Sequence, residues 1–278
     1  MKQILLLTDF SKNSKNAINY ALALFENEAC HFTILHIPTK SVYTTSDLMS
    51  AGNKSIYDSL VKKAKHKLEK FVKTLETASL NKNTTFEPVV DYDTLTDSVN
   101  QIINKNKIDL IVMGTNGATG AKEVIFGSNT INVIRKVDCS TLVVPKGFLY
   151  KKPESIFLPL DMLDSLNSHA FLKLKNYIKQ FNTSLNILRI NPKDDTSIEV
   201  EKDQEYIQTH LKHVTHSYQL VKNMATHDAV DNYLQTQDID LMALLVQKET
   251  AFERFLTGSE TKKISQDLKV PLLILHSD

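Results

Sequence analysis

The strongest constraint on this chain is that its end repeats its middle. Ile108-Asp-Leu-Ile-Val-Met113 recurs as Ile239-Asp-Leu-Met-Ala-Leu244, and the two stretches then stay in step without a gap. Gly127-Ser128 falls on Gly258-Ser259, and Leu142-Val-Val144 falls on Leu273-Ile-Leu275. The openings match as well, with Ile4-Leu-Leu-Leu-Thr-Asp9 against Ile156-Phe-Leu-Pro-Leu-Asp161. Self-similarity of this kind marks a duplicated unit. With 278 residues, 42% of them apolar, each copy can bury its own core. The polar stretch 146–155, which holds Gly147 and Pro153, is the joint, so domains are expected at 1–147 and 153–278.

Within the first copy, short apolar runs alternate with longer amphipathic ones. Strands are expected at 4–8, 31–37, 86–90, 108–113 and 141–144, with helices at about 16–26, 56–75, 93–104 and 129–136. Alternation of this sort implies βαβ units and a parallel sheet. The unbroken runs Ile4-Leu-Leu-Leu7 and Leu110-Ile-Val-Met113 suit strands covered on both faces.

Four of the chain's seven glycines lie between Gly114 and Gly127. They follow a buried strand and end at a helix start. Glycine lets the main chain turn left-handed or come close to a ligand. A helix N-terminus presents unpaired N–H groups and a partial positive charge, which suits phosphate. In an open α/β sheet, ligands bind where strand order reverses. An order of 3-2-1-4-5 reverses between strands 1 and 4, so Asp9 and Gly114 border one crevice. A tight turn with no ligand uses glycines too. The segment is neither a GxxxxGK[ST] loop nor a GxGxxG fingerprint. A net charge of +1 is too small to drive nucleic-acid binding. Its division, +4 over residues 1–150 and −3 over the rest, suits an anionic ligand in the first copy.

Gly114-x2-Gly117-x9-Gly127-Ser128 resembles the nucleotide-binding signature of the universal stress protein family, Gly-x2-Gly-x9-Gly-Ser/Thr. Leu7-Thr8-Asp9-Phe10-Ser11, Ile34-Leu35-His36-Ile37 and the closing Thr141-Leu-Val-Val-Pro145 are similar to that family as well. The resemblance implies two open five-stranded parallel-sheet units, of the adenine nucleotide α-hydrolase-like fold, joined as an internal pseudo-dimer. The apolar runs 141–144 and 272–275 are candidates for the seam. It further implies ATP, with or without Mg, in the first copy. Gly114, Gly117 and Gly127 would lie against ribose and phosphates. Ser128, Asn129 and Thr130 would donate to phosphate, Asp9 and the Ile37 backbone would face adenine and ribose, and Thr8 would belong to the same nucleotide site. Leu7 departs from the proline common in nucleotide-binding members. Asp9 also has a plainer role open to it, as a cap on the following helix.

In the second copy Leu245 stands for Gly114 and Lys248 for Gly117, so that crevice is expected to be closed to ATP. Lys122 could reach β/γ oxygens or lie free at the surface. Cys30 and Cys139 form no CxxC pair and read as buried thiols of a reducing cytoplasm. No apolar run is long enough for a membrane span or a signal peptide. His210, His213 and His216, read as strand residues, point to alternating faces and make a poor metal site. Lysines 62, 63, 65, 67, 70 and 73 form a solvated helix face. With no positioned base or arginine finger in evidence, a nucleotide-dependent binding module with an unnamed protein partner leads. A slow ATPase or nucleotidyl transferase, and a nucleotide-free scaffold, stay open, as does homodimerisation.

Overall fold

The computed structural model describes residues 1–38, 54–79, 81–115, 126–191, 198–246 and 269–277. The first copy runs β1 (Lys2–Leu7), α1 (Lys12–Leu24), β2 (Cys30–His36), α2 (Lys54–Ala78), β3 (Thr84–Val90), α3 (Leu95–Asn106), β4 (Leu110–Gly114), α4 (Ser128–Lys136) and β5 (Thr141–Val144). The second runs β6 (Ser155–Leu160), α5 (His169–Phe181), β7 (Ser184–Asn191), α6 (Ile198–His210), β8 (His216–Lys222), α7 (Thr226–Thr236), β9 (Leu241–Val246) and β10 (Leu272–His276). All five strands expected in the first copy are present, shifted by a residue or two at their ends.

One ten-stranded sheet has the order β3-β2-β1-β4-β5-β10-β9-β6-β7-β8. Each half therefore reads 3-2-1-4-5. Every pairing is parallel except β5 with β10 at the centre. There Thr141 faces Ile274, Leu142 faces Leu273 and Val143 faces Leu272. Leu142 and Leu273 are repeat counterparts, so a local two-fold axis passes between them. Such an isologous joint sets one surface against its own copy. The expected seam is thus the observed one.

Alternation along the strands feeds two apolar layers, one on each face of the sheet. Ile4, Leu6, Leu142, Leu273 and Leu275 belong to the layer covered by α1, α2, α5 and α6. Leu5, Ile111, Val143, Leu272 and Ile274 belong to the layer covered by α3, α4 and α7. Both layers run unbroken across the seam. The outer strands β3 and β8 are half-exposed, and β3 carries Pro88, which removes a donor from that edge.

The repeat extends to single hydrogen bonds. Asp109 accepts the Gln3 amide at 2.7 Å, and its counterpart Asp240 accepts the Ser155 amide at 3.1 Å. Asp9 Oδ1 accepts the Ser11 amide at 2.9 Å, and Asp161 Oδ1 accepts the Leu163 amide at 2.7 Å.

Candidate functional site

β1 and β4 pair as far as Leu6 and Val112, so Thr8 and Gly114, two residues further along in each case, stand at the reversal point of strand order. Ile37 follows β2 on one side, half-buried against the α3/α4 layer. The N-terminus of α4 closes the other side. Gly127 is its N-cap, and among the described residues no side chain caps the helix. Gly127 itself is tied down, since its N–H donates to the Thr115 carbonyl at 2.8 Å. Ser128 and Asn129, the first two helical residues, are exposed. An uncapped first turn leaves donors and the positive end of the helix facing outward.

The expected site residues divide on this geometry. Asp9, Ile37, Gly114, Gly127, Ser128 and Asn129 gather at one end of the sheet, exposed or half-buried. Thr130 does not offer its hydroxyl to a ligand. It is 2% exposed and shares its one proton between the carbonyls of Gly114, at 3.2 Å, and Thr115, at 3.0 Å. That hydroxyl clamps the end of β4 to α4, so a phosphate contact from Thr130 would fall to its backbone N–H in the first turn of α4. Thr8 is also turned inward. Its Oγ1 contacts Ser14 Oγ at 3.1 Å and accepts the Phe10 amide at 3.0 Å. Asp9 is not the cap of α1. Ser11 is, accepting the Ser14 amide at 3.1 Å, while Asp9 braces the turn before it. Gly117 and Lys122 lie outside the described residues, as do Lys248, Gly258 and Ser259.

Gly114 has a packing reason to be glycine. A Cβ there would lie 2.7 Å from Asn13 Nδ2 and 2.9 Å from Asn13 Cγ. Asn13, 6% exposed on the first turn of α1, thus presses on the bare main chain. This contact was not visible in the sequence, where nothing marks an asparagine as the neighbour of a glycine a hundred residues away.

Phe10 is a second feature found only in three dimensions. Its φ is +64°, a left-handed conformation that costs a bulky residue about 1–3 kcal/mol. In return its ring turns into the α1/α2 layer. It lies 4.4 Å from the His36 ring and 5.9 Å from Phe71, with Lys67 Nζ 4.0 Å above it. His36 Nδ1 donates to the Thr8 carbonyl at 2.8 Å. Burial, reinforced by Lys67, pushes the imidazole below its ordinary value, so it is neutral at pH 7 and holds that tautomer. The turn from Thr8 to Ser11 is therefore braced from beneath.

The corresponding end of the second half carries a buried ion-pair network. Arg189 pairs with Leu160 across β6 and β7, the place His36 holds relative to Thr8. It is fully buried. Its Nε and Nη2 fork onto Asp203 at 2.8 and 2.7 Å, and Nη1 donates to the carbonyls of Asp161 and Asp164. Tyr218 Oη adds a bond to Asp203 at 2.8 Å. Leu245, in the place of Gly114, is 3% exposed within the apolar layer.

The three histidines are spread over the end of α6, a turn and the start of β8, so they do not share a strand. Among the described residues no group of three or more His, Cys, Asp or Glu could hold a metal ion. No helix of the described chain is long and apolar enough to cross a membrane. Both cysteines are buried and free. Lys62, Lys63, Lys65, Lys67, Lys70 and Lys73 of α2 are exposed, as expected.

Comparison with known proteins agrees with this architecture. The model of the universal stress protein family matches residues 1–145. Universal stress protein MJ0577 of Methanocaldococcus jannaschii is 29% identical over 158 residues, which is 52% of this chain and 95% of that protein. Universal stress protein YxiE of Bacillus subtilis is 28% identical over 149 residues, 51% of this chain and 97% of that protein. The crystal structure of a universal stress protein from Archaeoglobus fulgidus superposes with a TM-score of 0.75 at 15% identity, covering 99% of this chain and 98% of that one.

Proposed function

The chain belongs to the universal stress protein family, and on that premise we propose that its first half binds an adenine nucleotide, ATP, while its second half does not. The observation that carries this reading is the uncapped first turn of α4, set beside bare main chain at the mouth of β4. Phosphates would be held by the amides of that turn and by the Ser128 and Asn129 side chains. Gly117 would let the backbone approach, and Asp9 would accept from ribose or adenine, away from the phosphate charge. Gly127 and Thr130 would shape the cradle without donating side-chain bonds. Mg, where it accompanies the nucleotide, would be held chiefly by the phosphates. We divide the chain into domains at 1–147 and 153–278 and assign it to the cytoplasm, in keeping with two free thiols.

The function of this site is regulatory. Bound nucleotide would stabilise the loop Ala118–Phe126 and so change the surface offered to a protein partner. Linkage then requires a partner that prefers the ATP form to tighten ATP binding equally. Melting of the purified protein with and without ATP tests the assignment. A ligand at a hundred times its Kd adds about 2.7 kcal/mol, a shift of several degrees. Gly117→Leu should abolish that shift. An unchanged melting temperature at millimolar ATP would remove the nucleotide from this protein.

A further inference from the structure

The local two-fold axis places two equivalent notches beside the seam. Helices α1 and α5 start from counterpart N-caps, Ser11 and Ser168, and Tyr20 and Tyr177 lie nine residues beyond them. Each tyrosine feels the aspartate just before the fourth strand of the opposite half, Asp240 for Tyr20 and Asp109 for Tyr177. One notch is occupied. The segment joining the halves lies in it, with Phe148 6.0 Å and Tyr150 5.3 Å from the Tyr20 ring. Asn16 Nδ2 donates to the Phe148 carbonyl at 2.9 Å, and Lys151 pairs with Asp240 at 2.7 Å. Tyr20 is 1% exposed and Asp240 6% exposed beneath this cover.

The other notch is a cavity of about 450 Å3 lined by Lys2, Asp109, Asp138, Lys173, Tyr177 and Gln180. Here Tyr177 is only half-buried and Asp109 is exposed. Among the described residues no lysine pairs with Asp109. The cations of this notch are turned to other work. Lys2 Nζ donates to Gln180 Oε1 at 2.8 Å, and Lys173 Nζ donates to the His276 carbonyl at 2.9 Å. The Tyr177 ring stacks on Phe181 at 6.0 Å with Lys2 Nζ 5.7 Å from its centre, and stays half-buried, while the carboxylates of Asp109 and Asp138 are exposed.

We propose that this notch docks an extended segment of a partner protein that carries an aromatic residue followed by a lysine. The pattern is that of Phe148-Leu149-Tyr150-Lys151 in the equivalent seat. The aromatic side chain would pack on Tyr177 and the ammonium would pair with Asp109. The occupied notch serves as its own template, so this reading stands apart from the nucleotide.

A dye-labelled peptide of sequence Gly-Phe-Leu-Tyr-Lys-Lys, titrated against the intact protein, tests it by fluorescence polarisation. Saturable binding at micromolar to millimolar peptide is expected. Asn176→Trp, on the exposed rim, and Asp109→Asn should each weaken it about tenfold or more, which is about 1.4 kcal/mol. Asn176→Trp leaves the Gln3 contact of Asp109 intact, so it keeps the test valid if Asp109→Asn disturbs β1. A peptide with Glu in place of both lysines should lose binding likewise. Absence of saturation at millimolar peptide overturns the proposal. So does binding that Asn176→Trp leaves unchanged, because the peptide would then be entering the Tyr20 seat, or binding that ignores the lysine-to-glutamate change.

Discussion

At the scale of the residue, the two halves differ by exchanges of volume rather than by loss of pattern. Gly114 lies under Asn13 in the first half. In the second half the same two positions, counted from the strand and from the helix cap, are Leu245 and Ala170. Large over small has become small over large. This predicts a specific coupling. Gly114→Leu alone drives a side chain into Asn13 and should cost about 1–3 kcal/mol. Asn13→Ala alone costs less, and the double variant should regain about 1–2 kcal/mol of the sum, measured by denaturant unfolding. Strict additivity would show that the two positions do not share the space assigned to them. The sequence showed that Gly114 was special and suggested a ligand as the reason. It could not show Asn13, because a contact between remote residues leaves no period and no spacing. For the same reason Thr130 looked like a phosphate donor. Its type and position were right for one, but the carbonyls of Gly114 and Thr115 were already within its reach.

At the scale of the element, the strands and helices were the most legible part of the chain. Apolar runs bounded by polar caps state their own period, and only the ends moved. What the runs concealed was the charge within one of them. Leu185-Asn-Ile-Leu-Arg-Ile190 places Arg189 in a strand buried on both faces, and that alone flags a partner. The partner, Asp203, sits on α6 and is fixed only by folding. Guanidinium, carboxylate and the Tyr218 hydroxyl together stand at the end of the sheet that corresponds to the candidate site of the first half. Removing one charge of a buried pair strands the other. Arg189→Leu should therefore destabilise the protein by about 3–5 kcal/mol. Arg189→Leu with Asp203→Leu should recover most of that loss, because apolar side chains replace both ions. A calorimetric scan of the three proteins decides the matter. If the double variant melts as low as the single one, the network holds the second half in some way beyond mutual neutralisation. Neither variant should gain ATP binding, since Leu245 still stands where Gly114 would be needed.

At the scale of the molecule, the central joint between β5 and β10 determines what the duplication achieves. A single unit with this strand order exposes its fifth strand as an apolar edge, which is a template for association. Here the second unit covers that edge with its own counterpart strand, and both apolar layers continue across it. The joint therefore has the character of a core cut in half rather than of a hinge. The connecting segment packs on Tyr20 and pairs Lys151 with Asp240, but it takes no part in the β5–β10 pairing, and its Leu149 is 81% exposed. A protease site inserted at Leu149 tests this division of roles. The nicked protein should elute as one species of unchanged size, because the cut leaves the seam untouched. Leu142→Lys places a charge on the local axis, against Leu273, and should make the same nick separate the halves. If the nicked protein with its native seam falls apart, the covalent tether is what holds the two units together. In that case the ten-stranded sheet is two five-stranded sheets in contact, and the duplication acts by tethering them.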